Sequence, residues 1–232
     1  MKQADVWDRF SFERELWQTG LALLAGVDEA GRGPLAGPVL AAAVCLPSSW
    51  LKDGLPQPLA GLNDSKQLSA AQRERFFAVL TSQPEVCYGI ARVEADQIDA
   101  INILQATHLA MNLALEQLRP PPQHVLVDGR PVKTLRFPQT AIIKGDSLSY
   151  SIAAASVLAK VTRDRLMIEY DREYPAYGFA QHKGYGTAQH LTALLKHGPC
   201  PIHRRSFKWQ KDGATGKAAG ATLTLDFQAK AC

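Results

Sequence analysis

Four acidic residues follow apolar runs in this chain, and their placement is the first sign of chemistry. Asp28 and Glu29 stand side by side after the apolar residues 21–27, and a Gly31-Arg32-Gly33 turn follows at once. His124-Val-Leu-Val-Asp-Gly129 ends in Asp128, and Ala141-Ile-Ile-Lys-Gly-Asp146 ends in Asp146. An ionised carboxylate at the edge of a core is costly unless it gains a partner or a metal. Glycines beside it let the backbone approach a ligand with no Cβ in the way. Acids next to a backbone-presenting loop point to metal-assisted chemistry on a phosphate-bearing substrate. Any one of these acids could simply open a turn, but three such run ends in one chain are harder to dismiss.

The elements that must position the acids read as strands. Residues 21–27 and 39–46 are apolar runs bounded by Gly and Pro, which predicts two buried strands joined by a tight connection. Residues 86–93, 124–128 and 141–146 read as further strands, and neighbouring strands would gather the acids at one edge of a sheet. Successive strand residues face opposite ways, so Asp28 and Glu29 converge only if the strand twists or ends between them. Oxygen donors without His or Cys at ligand spacing favour Mg²⁺ or Mn²⁺ over zinc. Two such ions about 3.5–4 Å apart suit an in-line phosphoryl displacement. The Gly-Arg-Gly turn lacks the Gly-x-Gly-x-x-Gly and Gly-Lys-Ser/Thr patterns of nucleotide loops. No Gly-x-Ser-x-Gly elbow supports a serine nucleophile.

The remaining segments fit around that sheet. Residues 1–20 form a mixed lead-in, expected to be helical and to pack on the body. Residues 47–58 read as a Pro- and Gly-rich loop, and Ser69 caps a helix beginning at Ala70. Asn63, Asp64, Ser65 and Lys66 suit a turn, while Lys66 could equally point a cation at the site. Residues 95–118 predict a long helix with Ile98, Ile101, Leu104, Met111, Leu115 and Leu118 on its core face, stopped by Pro120–Pro122. Asp96 and Asp99 suit its N-terminal end. A helix from Ser149 to about Tyr174 follows, with Lys160, Arg163 and Arg165 read as solvated. A Gly-rich loop over 175–187 and a short helix over 188–197 come next. Residues 211–232 read as a disordered tail beyond a domain spanning 21–210.

Composition sets the outer bounds. The chain has 232 residues, 46% of them hydrophobic and 21% charged, which is the balance of a globular protein. No apolar stretch approaches the roughly 20 residues of a spanning helix, so no membrane partner is expected. Met1 to Glu15 is mixed in charge without a signal-peptide core, and the four cysteines form no Cys-x-x-Cys pair. Both features predict a cytoplasmic protein. Net charge is +4, and His182-Lys183, Lys196-His197, His203-Arg204-Arg205 and Lys208 concentrate basic groups late in the chain. Tyr177, Phe179, Tyr185, Phe207 and Trp209 lie among them, a mixture that suits a nucleic-acid surface.

These motifs, in order, resemble ribonuclease HII. Asp-Glu-Ala-Gly-Arg-Gly-Pro-Leu-Ala-Gly-Pro from Asp28, Leu-Asn-Asp-Ser-Lys from Leu62 and Val-Asp-Gly from Val127 carry the likeness. Lys-Gly-Asp from Lys144, Ala-Ala-Ala-Ser-Val-Leu-Ala-Lys-Val-Thr-Arg-Asp from Ala153, His-Lys-Gly-Tyr-Gly-Thr from His182 and Ile-His-Arg-Arg-Ser-Phe from Ile202 extend it. The resemblance implies an α/β, ribonuclease H-like fold: a central mixed sheet flanked by helices, with a helical C-terminal part. It implies a monomeric endonuclease for RNA–DNA hybrids and for single ribonucleotides in duplex DNA, leaving a 3′-hydroxyl and a 5′-phosphate. Asp28, Glu29, Asp128 and Asp146 would hold two Mn²⁺ or Mg²⁺ ions. Gly31, Arg32 and Gly33 would read the 2′-hydroxyl through the backbone, Tyr185 would stack on the junction sugar, and Lys66 would meet a phosphate. The 2′-hydroxyl is what separates RNA from DNA at one site. In the tail, Thr222-Leu-Thr-Leu-Asp-Phe227 loosely resembles peptides that dock on a bacterial sliding clamp, although a strand scrap is the plainer reading. Two rivals remain: another metal-dependent nuclease or strand transferase, and a basic binding module whose acids are structural.

Overall fold

The computed structural model describes residues 8–209. Five strands form one sheet, β1 (Leu24–Ala30), β2 (Val39–Cys45), β3 (Cys87–Val93), β4 (His124–Asp128) and β5 (Gln139–Ile142), in the order β3-β2-β1-β4-β5. The β1–β2 and β2–β3 pairs are antiparallel, and the β1–β4 and β4–β5 pairs are parallel. The sheet is therefore mixed, as the sequence predicts. The all-apolar β2, Val-Leu-Ala-Ala-Ala-Val-Cys, is buried along its whole length because helices cover both of its faces.

One face of the sheet carries α6 (Tyr150–Glu173), with α1 (Ser11–Gln18) and α3 (Ala70–Ser82) around it. Small residues on α6, Ala153, Ala154 and Ala155, permit close approach to the sheet. Gly26 on β1 completes the fit, since a Cβ there would stand 2.2 Å from the carbonyl carbon of Ser151. Ser69 caps α3 in a reciprocal capping box with Gln72. On the other face lies α4 (Ala95–Leu115), burying Ile98, Met111 and Leu115 against Val27, Ala41 and Val125.

Several expectations change here. Residues 47–58 contain a short helix, α2 (Ser48–Asp53), whose Trp50 and Leu51 are buried. The apolar stripe of α4 is broken at Asn102, which adopts φ +66° and accepts hydrogen bonds from Leu104 N and Gln105 N at 3.0 and 3.1 Å. This internal cap resets the helical phase, so Ile101 and Leu104 face solvent, while Leu118 beyond the helix stays in the core. Asp99 does not serve the helix end: it accepts from Arg205 N, Ser206 N and Ser206 Oγ and ties down the chain's last described turn.

The C-terminal part packs on the far end of α6. There, α7 (Phe179–His182) interrupts the predicted loop, and α8 (Ala188–His197) follows, capped by Thr187. Ala36, Met167, Tyr177, Phe179, Ala193 and Leu194 form its own small core. No described helix is long and apolar enough to cross a membrane. The tail 211–232, including the Thr222–Phe227 segment, lies outside the described residues.

Candidate active site

Register brings two acids together. Gly26 pairs with Leu126 and Val27 with Val127, which sets Asp28 level with Asp128 on adjacent parallel strands. Residues level in a parallel pair share a face. That face is the one covered by α6, since Gly26 meets the start of α6 and Leu126 packs on Ile152. Glu29 comes next along β1, one residue before its end. The strand does not stop between the two acids, but Asp28 and Glu29 still line the same cleft at the strand's edge.

Asp146 arrives differently from the prediction. β5 stops at Ile142, Ile143 is 75% exposed, and the chain turns through Lys144 in a left-handed conformation, φ +59°. Asp146 then lies in the first turn of α5 (Gly145–Leu148), not at a strand end. The turn is held by the acid beside it: Asp128 Oδ1 accepts from Gly145 N at 2.7 Å and from Asp146 N at 3.4 Å.

The acids crowd one another. Burial, then Glu29 and Asp128, push the Asp28 carboxyl well above the usual carboxylate range, against the pull of Ser156 and of Glu29 N, which donates at 2.7 Å. Burial, then Asp128 and Asp64, raise Asp146 to about 6, with Lys66 pulling the other way. Like charges gathered in a partly desolvated site disfavour full ionisation, which is what a bound cation relieves. Among the described residues, no three His, Cys, Asp or Glu side chains form a ready metal cage. The donors nevertheless fit a hard cation, because every one of them is a carboxylate oxygen.

The cleft opposite the acids is cationic and glycine-lined. It has a volume of about 220 Å³ and brings Asp28 and Glu29 together with Gly31, Arg32, Gly33, Lys66, Lys160 and Tyr185. Burial alone would lower the Lys66 ammonium pKa, but Asp64, Asp28, Asp146 and Asp128 outweigh it and hold it raised. Arg32 Nη1 lies 3.2 Å from Glu29 Oε1, at the solvent edge. Tyr185 is 47% exposed, and its ring edge would stand 3.6 Å from a Cβ on Gly33. Lys160 pairs with Asp164 at 2.8 Å, within the cleft wall.

Several residues that shape the site were read otherwise from sequence. Arg163 and Arg204, assigned to solvated or nucleic-acid-facing positions, are each only 1% exposed. Arg204 donates to the carbonyls of Gly31, Arg32, Pro34 and Gly37 at 2.6–3.0 Å, so its fork grips the back of the Gly-Arg-Gly turn. Arg163 donates to Pro38 O, Ala36 O and Lys183 O at 3.0–3.1 Å, tying that turn to the loop of Tyr185. Burial lowers both, Arg163 to about 10 and Arg204 to about 9. His182 and His203 are buried as well, so much of the late basic cluster serves the interior.

Asp64, read as a turn residue, does make that turn, with Oδ1 accepting from Lys66 N at 2.9 Å, but it is also a fifth acid beside Asp146. Ser156 donates to Ser65 Oγ at 2.9 Å and lies against Asp28. The lead-in reaches the site too. Arg9 Nη2 donates to Asp146 O at 2.9 Å and Nη1 to Leu62 O, while Glu13 Oε1 accepts from Ser149 Oγ, Ser151 N and Ser151 Oγ at the start of α6.

A family model described as Ribonuclease HII matches residues 25–210. The chain belongs to the ribonuclease HII family. Ribonuclease HII of Ruminiclostridium cellulolyticum is 55% identical over 197 residues, covering 85% of this chain and 74% of that relative. Ribonuclease HII of Geobacter metallireducens is 50% identical over 210 residues, 90% of this chain and 95% of the relative. Among solved structures, ribonuclease H2 from Pyrococcus horikoshii OT3 matches with TM-score 0.66 at 29% identity, over 80% of this chain and 93% of that one. The fold is accordingly ribonuclease H-like, a mixed sheet between helices with a helical C-terminal part. Two more distant structures share it. One is RNase HII in the PCNA:RNase HII complex from Archaeoglobus fulgidus, with TM-score 0.62 and 21% identity over 82% of this chain and 98% of that one. The other is Bst-RNase HIII in complex with Mn²⁺, with TM-score 0.60 and 18% identity over 85% and 68%. The family match begins after α1, so Arg9 and Glu13 lie outside it.

Proposed function

We propose that the chain is a metal-dependent endonuclease that cuts the RNA strand of RNA–DNA hybrids. We extend this to single ribonucleotides in duplex DNA, cut on their 5′ side to leave 3′-hydroxyl and 5′-phosphate ends. One observation carries the reading. Crowded carboxylates face a glycine turn whose carbonyls are held from behind by a buried guanidinium, leaving the other side of that backbone toward the cleft.

Asp28, Glu29, Asp128 and Asp146 would hold Mn²⁺ or Mg²⁺, the hard cations that suit an all-carboxylate set. Held there, a pair of such ions would supply activation of a water and relief of charge on a leaving oxygen. The protein's own residues do the selecting. Gly31 and Gly33 present backbone to the 2′-hydroxyl, and Tyr185 stacks on the sugar at the junction. Lys66 faces the phosphate with its ammonium held charged by the acids around it. Residues 21–210 are the catalytic unit of this reading, acting as a monomer in the cytoplasm. For the tail, we propose that deleting residues 211–232 leaves affinity for a sliding clamp unchanged in a pull-down.

The test is an end-labelled DNA duplex carrying one ribonucleotide, with and without Mg²⁺ or Mn²⁺. A single metal-dependent cut 5′ to the ribonucleotide, absent on all-DNA duplex, is expected. Cleavage of long hybrids alone would remove the junction-reading roles of Gly31, Gly33 and Tyr185. Equal cleavage of all-DNA would assign a different nuclease, and no cleavage in either metal would leave a binding module.

A further inference from the structure

Behind Tyr185 lies a group of histidines that the reaction does not use. His190, on α8, is fully buried, and His203 is 5% exposed. Their Nε2 atoms stand 3.0 Å apart, so one ring must donate and the other accept. The ends of the pair decide which. His190 Nδ1 lies 3.0 Å from the carbonyl of Tyr185, an atom that can only accept, so the proton sits on Nδ1 and Nε2 is bare. His203 must then carry its proton on Nε2, which leaves its Nδ1 to accept, and Cys200 N donates to that atom at 2.9 Å. The Cys200 Sγ, 3.1 Å away, is a second donor to it, and Cys200 O, 3.2 Å from the ring, is already occupied by His203 N at 3.0 Å.

The bonds therefore run one way: Cys200 N–H to His203, His203 to His190, His190 to Tyr185 O. The Tyr185 carbonyl is doubly held, since Thr187 N also donates to it at 2.8 Å. His182 stacks on His190 with ring centroids 4.5 Å apart and bridges the same loop, with Nε2 on Tyr177 O and Nδ1 accepting from Gly184 N. The loop that presents Tyr185 is thus pinned at Tyr177, Gly184 and Tyr185 by neutral imidazoles.

We propose that His190 and His203 are positioning residues for Tyr185, fixing its ring over Gly33 through this directed chain of hydrogen bonds. The proposal rests on the reading in which Tyr185 meets the substrate sugar. The chain needs both rings neutral, and the burial around them favours that state: His203 is pushed down to about 4, by burial and then by His190, and His190 is lowered by burial. The titratable groups around the pair are His182, Cys200, Tyr177 and Tyr185, with His197 against Tyr177 and Glu173 acting through Cys200. A ring that only fills space would need none of this order.

Two substitutions separate positioning from packing. His190→Phe keeps the ring volume and loses both hydrogen bonds. His190→Asn loses volume but places an amide N–H where Nδ1 stood, restoring the bond to Tyr185 O. With the single-ribonucleotide duplex, His190→Phe should raise KM about five- to tenfold, the worth of one lost hydrogen bond, with a smaller change in kcat. His190→Asn should return most of that loss despite its cavity. If Phe matches wild type, or if Asn is the worse of the two, the ring is only core filler and the proposal falls. Tyr185→Ala separates the two layers of argument. An unchanged KM there would sink the role of Tyr185 itself, whereas a raised KM with an inert His190→Phe would sink only the positioning claim. In the Tyr185→Ala background, His190→Phe should add nothing. Imidazole ¹⁵N spectra of the unmodified protein give a readout free of folding defects. Protons on His190 Nδ1 and His203 Nε2 are expected, and the opposite tautomers would overturn the chain.

Discussion

The two walls of the cleft are built on opposite electrostatic terms. On one wall Asp28 and Glu29 line the cleft, and burial, then the neighbouring carboxylates of β1, β4 and the Asp64 turn, raise Asp28 and Asp146 above the ordinary range. Behind the other, Arg163 and Arg204 spend their guanidiniums on backbone carbonyls, and His182, His190 and His203 find partners for both ring nitrogens. The first wall is left unsettled by its own charges, and a cation would settle it. The second is satisfied as it stands and needs only to stay still. On the proposed reading, in which the site binds metal and also measures a sugar, the two tasks divide between a strained wall and a rigid one.

The strongest way to break this contrast is Asp128→Asn. Turnover on the ribonucleotide duplex should fall by about a hundredfold or more, since outer partners of a metal site alone are worth ~10–100-fold. The amide keeps an oxygen for Gly145 N and removes a charge that presses on Asp28, so the metal-free variant should melt higher than wild type. Calorimetry beside the cleavage assay checks both halves, and a lower melting point would mean the acid wall is not strained.

Arg204→Met tests the rigid wall. Four carbonyls lose a shared donor, which should cost about 3 kcal/mol or more in denaturant unfolding and weaken discrimination between single-ribonucleotide and all-DNA duplexes. Arg204→Lys should recover little, because an ammonium cannot span that fork. Stability within about 0.5 kcal/mol of wild type, the scatter of surface changes, would show the grip to be incidental.

Acid separates the walls by sign. His203 titrates near 4 in the folded chain against an ordinary 6.5, so the unfolded chain takes the proton first. Its contribution is whole above pH 6.5 and is lost as pH falls from 6.5 toward 4. Asp146, raised to about 6 from 3.8, acts the other way: the folded state binds the proton first and gains stability as pH falls through that window. In wild type the two partly cancel. The denaturation midpoint of His203→Gln should therefore decline less on acidification than that of wild type, and parallel curves would refute the assignment.

The smallest effect belongs to the lead-in. Arg9→Ala removes a donor to Asp146 O and Leu62 O, and should lower Mn²⁺ affinity by only a few-fold, read by titration calorimetry. An unchanged affinity would make α1 a packing element alone.

The strained wall was the legible one. An acid after an apolar run is a local signal, and Asp28, Glu29 and Asp128 fall where it predicts. Asp146 does not sit at the strand end that the apolar run suggests, because nothing nearby in the sequence announces the left-handed turn at Lys144 that moves it onto a helix. Ser69 as the cap of α3 was legible, since a cap and the helix it opens are adjacent in sequence; its reciprocal partner Gln72 emerges only in the structure. Arg204 was not, because its acceptors lie more than 160 residues away and an arginine among histidines looks the same whether it faces water or carbonyls. Asn102 was missed for another reason. Apolar spacing ran straight through it, and only its side chain capping the following turn reveals the break.

The pairing of β1 with β4 also sets a timetable. Strands β1, β2 and β3 can pair once residue 93 has left the ribosome, but the other edge of β1 waits for a partner about a hundred residues further on. The Gly-Arg-Gly turn waits longer still, for Arg204. Contacts of such long range form late. A half-made chain therefore holds Asp28 and Glu29 without Asp128 or Asp146, so on the proposed reading a growing polypeptide or an aborted fragment would lack the cutting site until almost the whole domain has been translated.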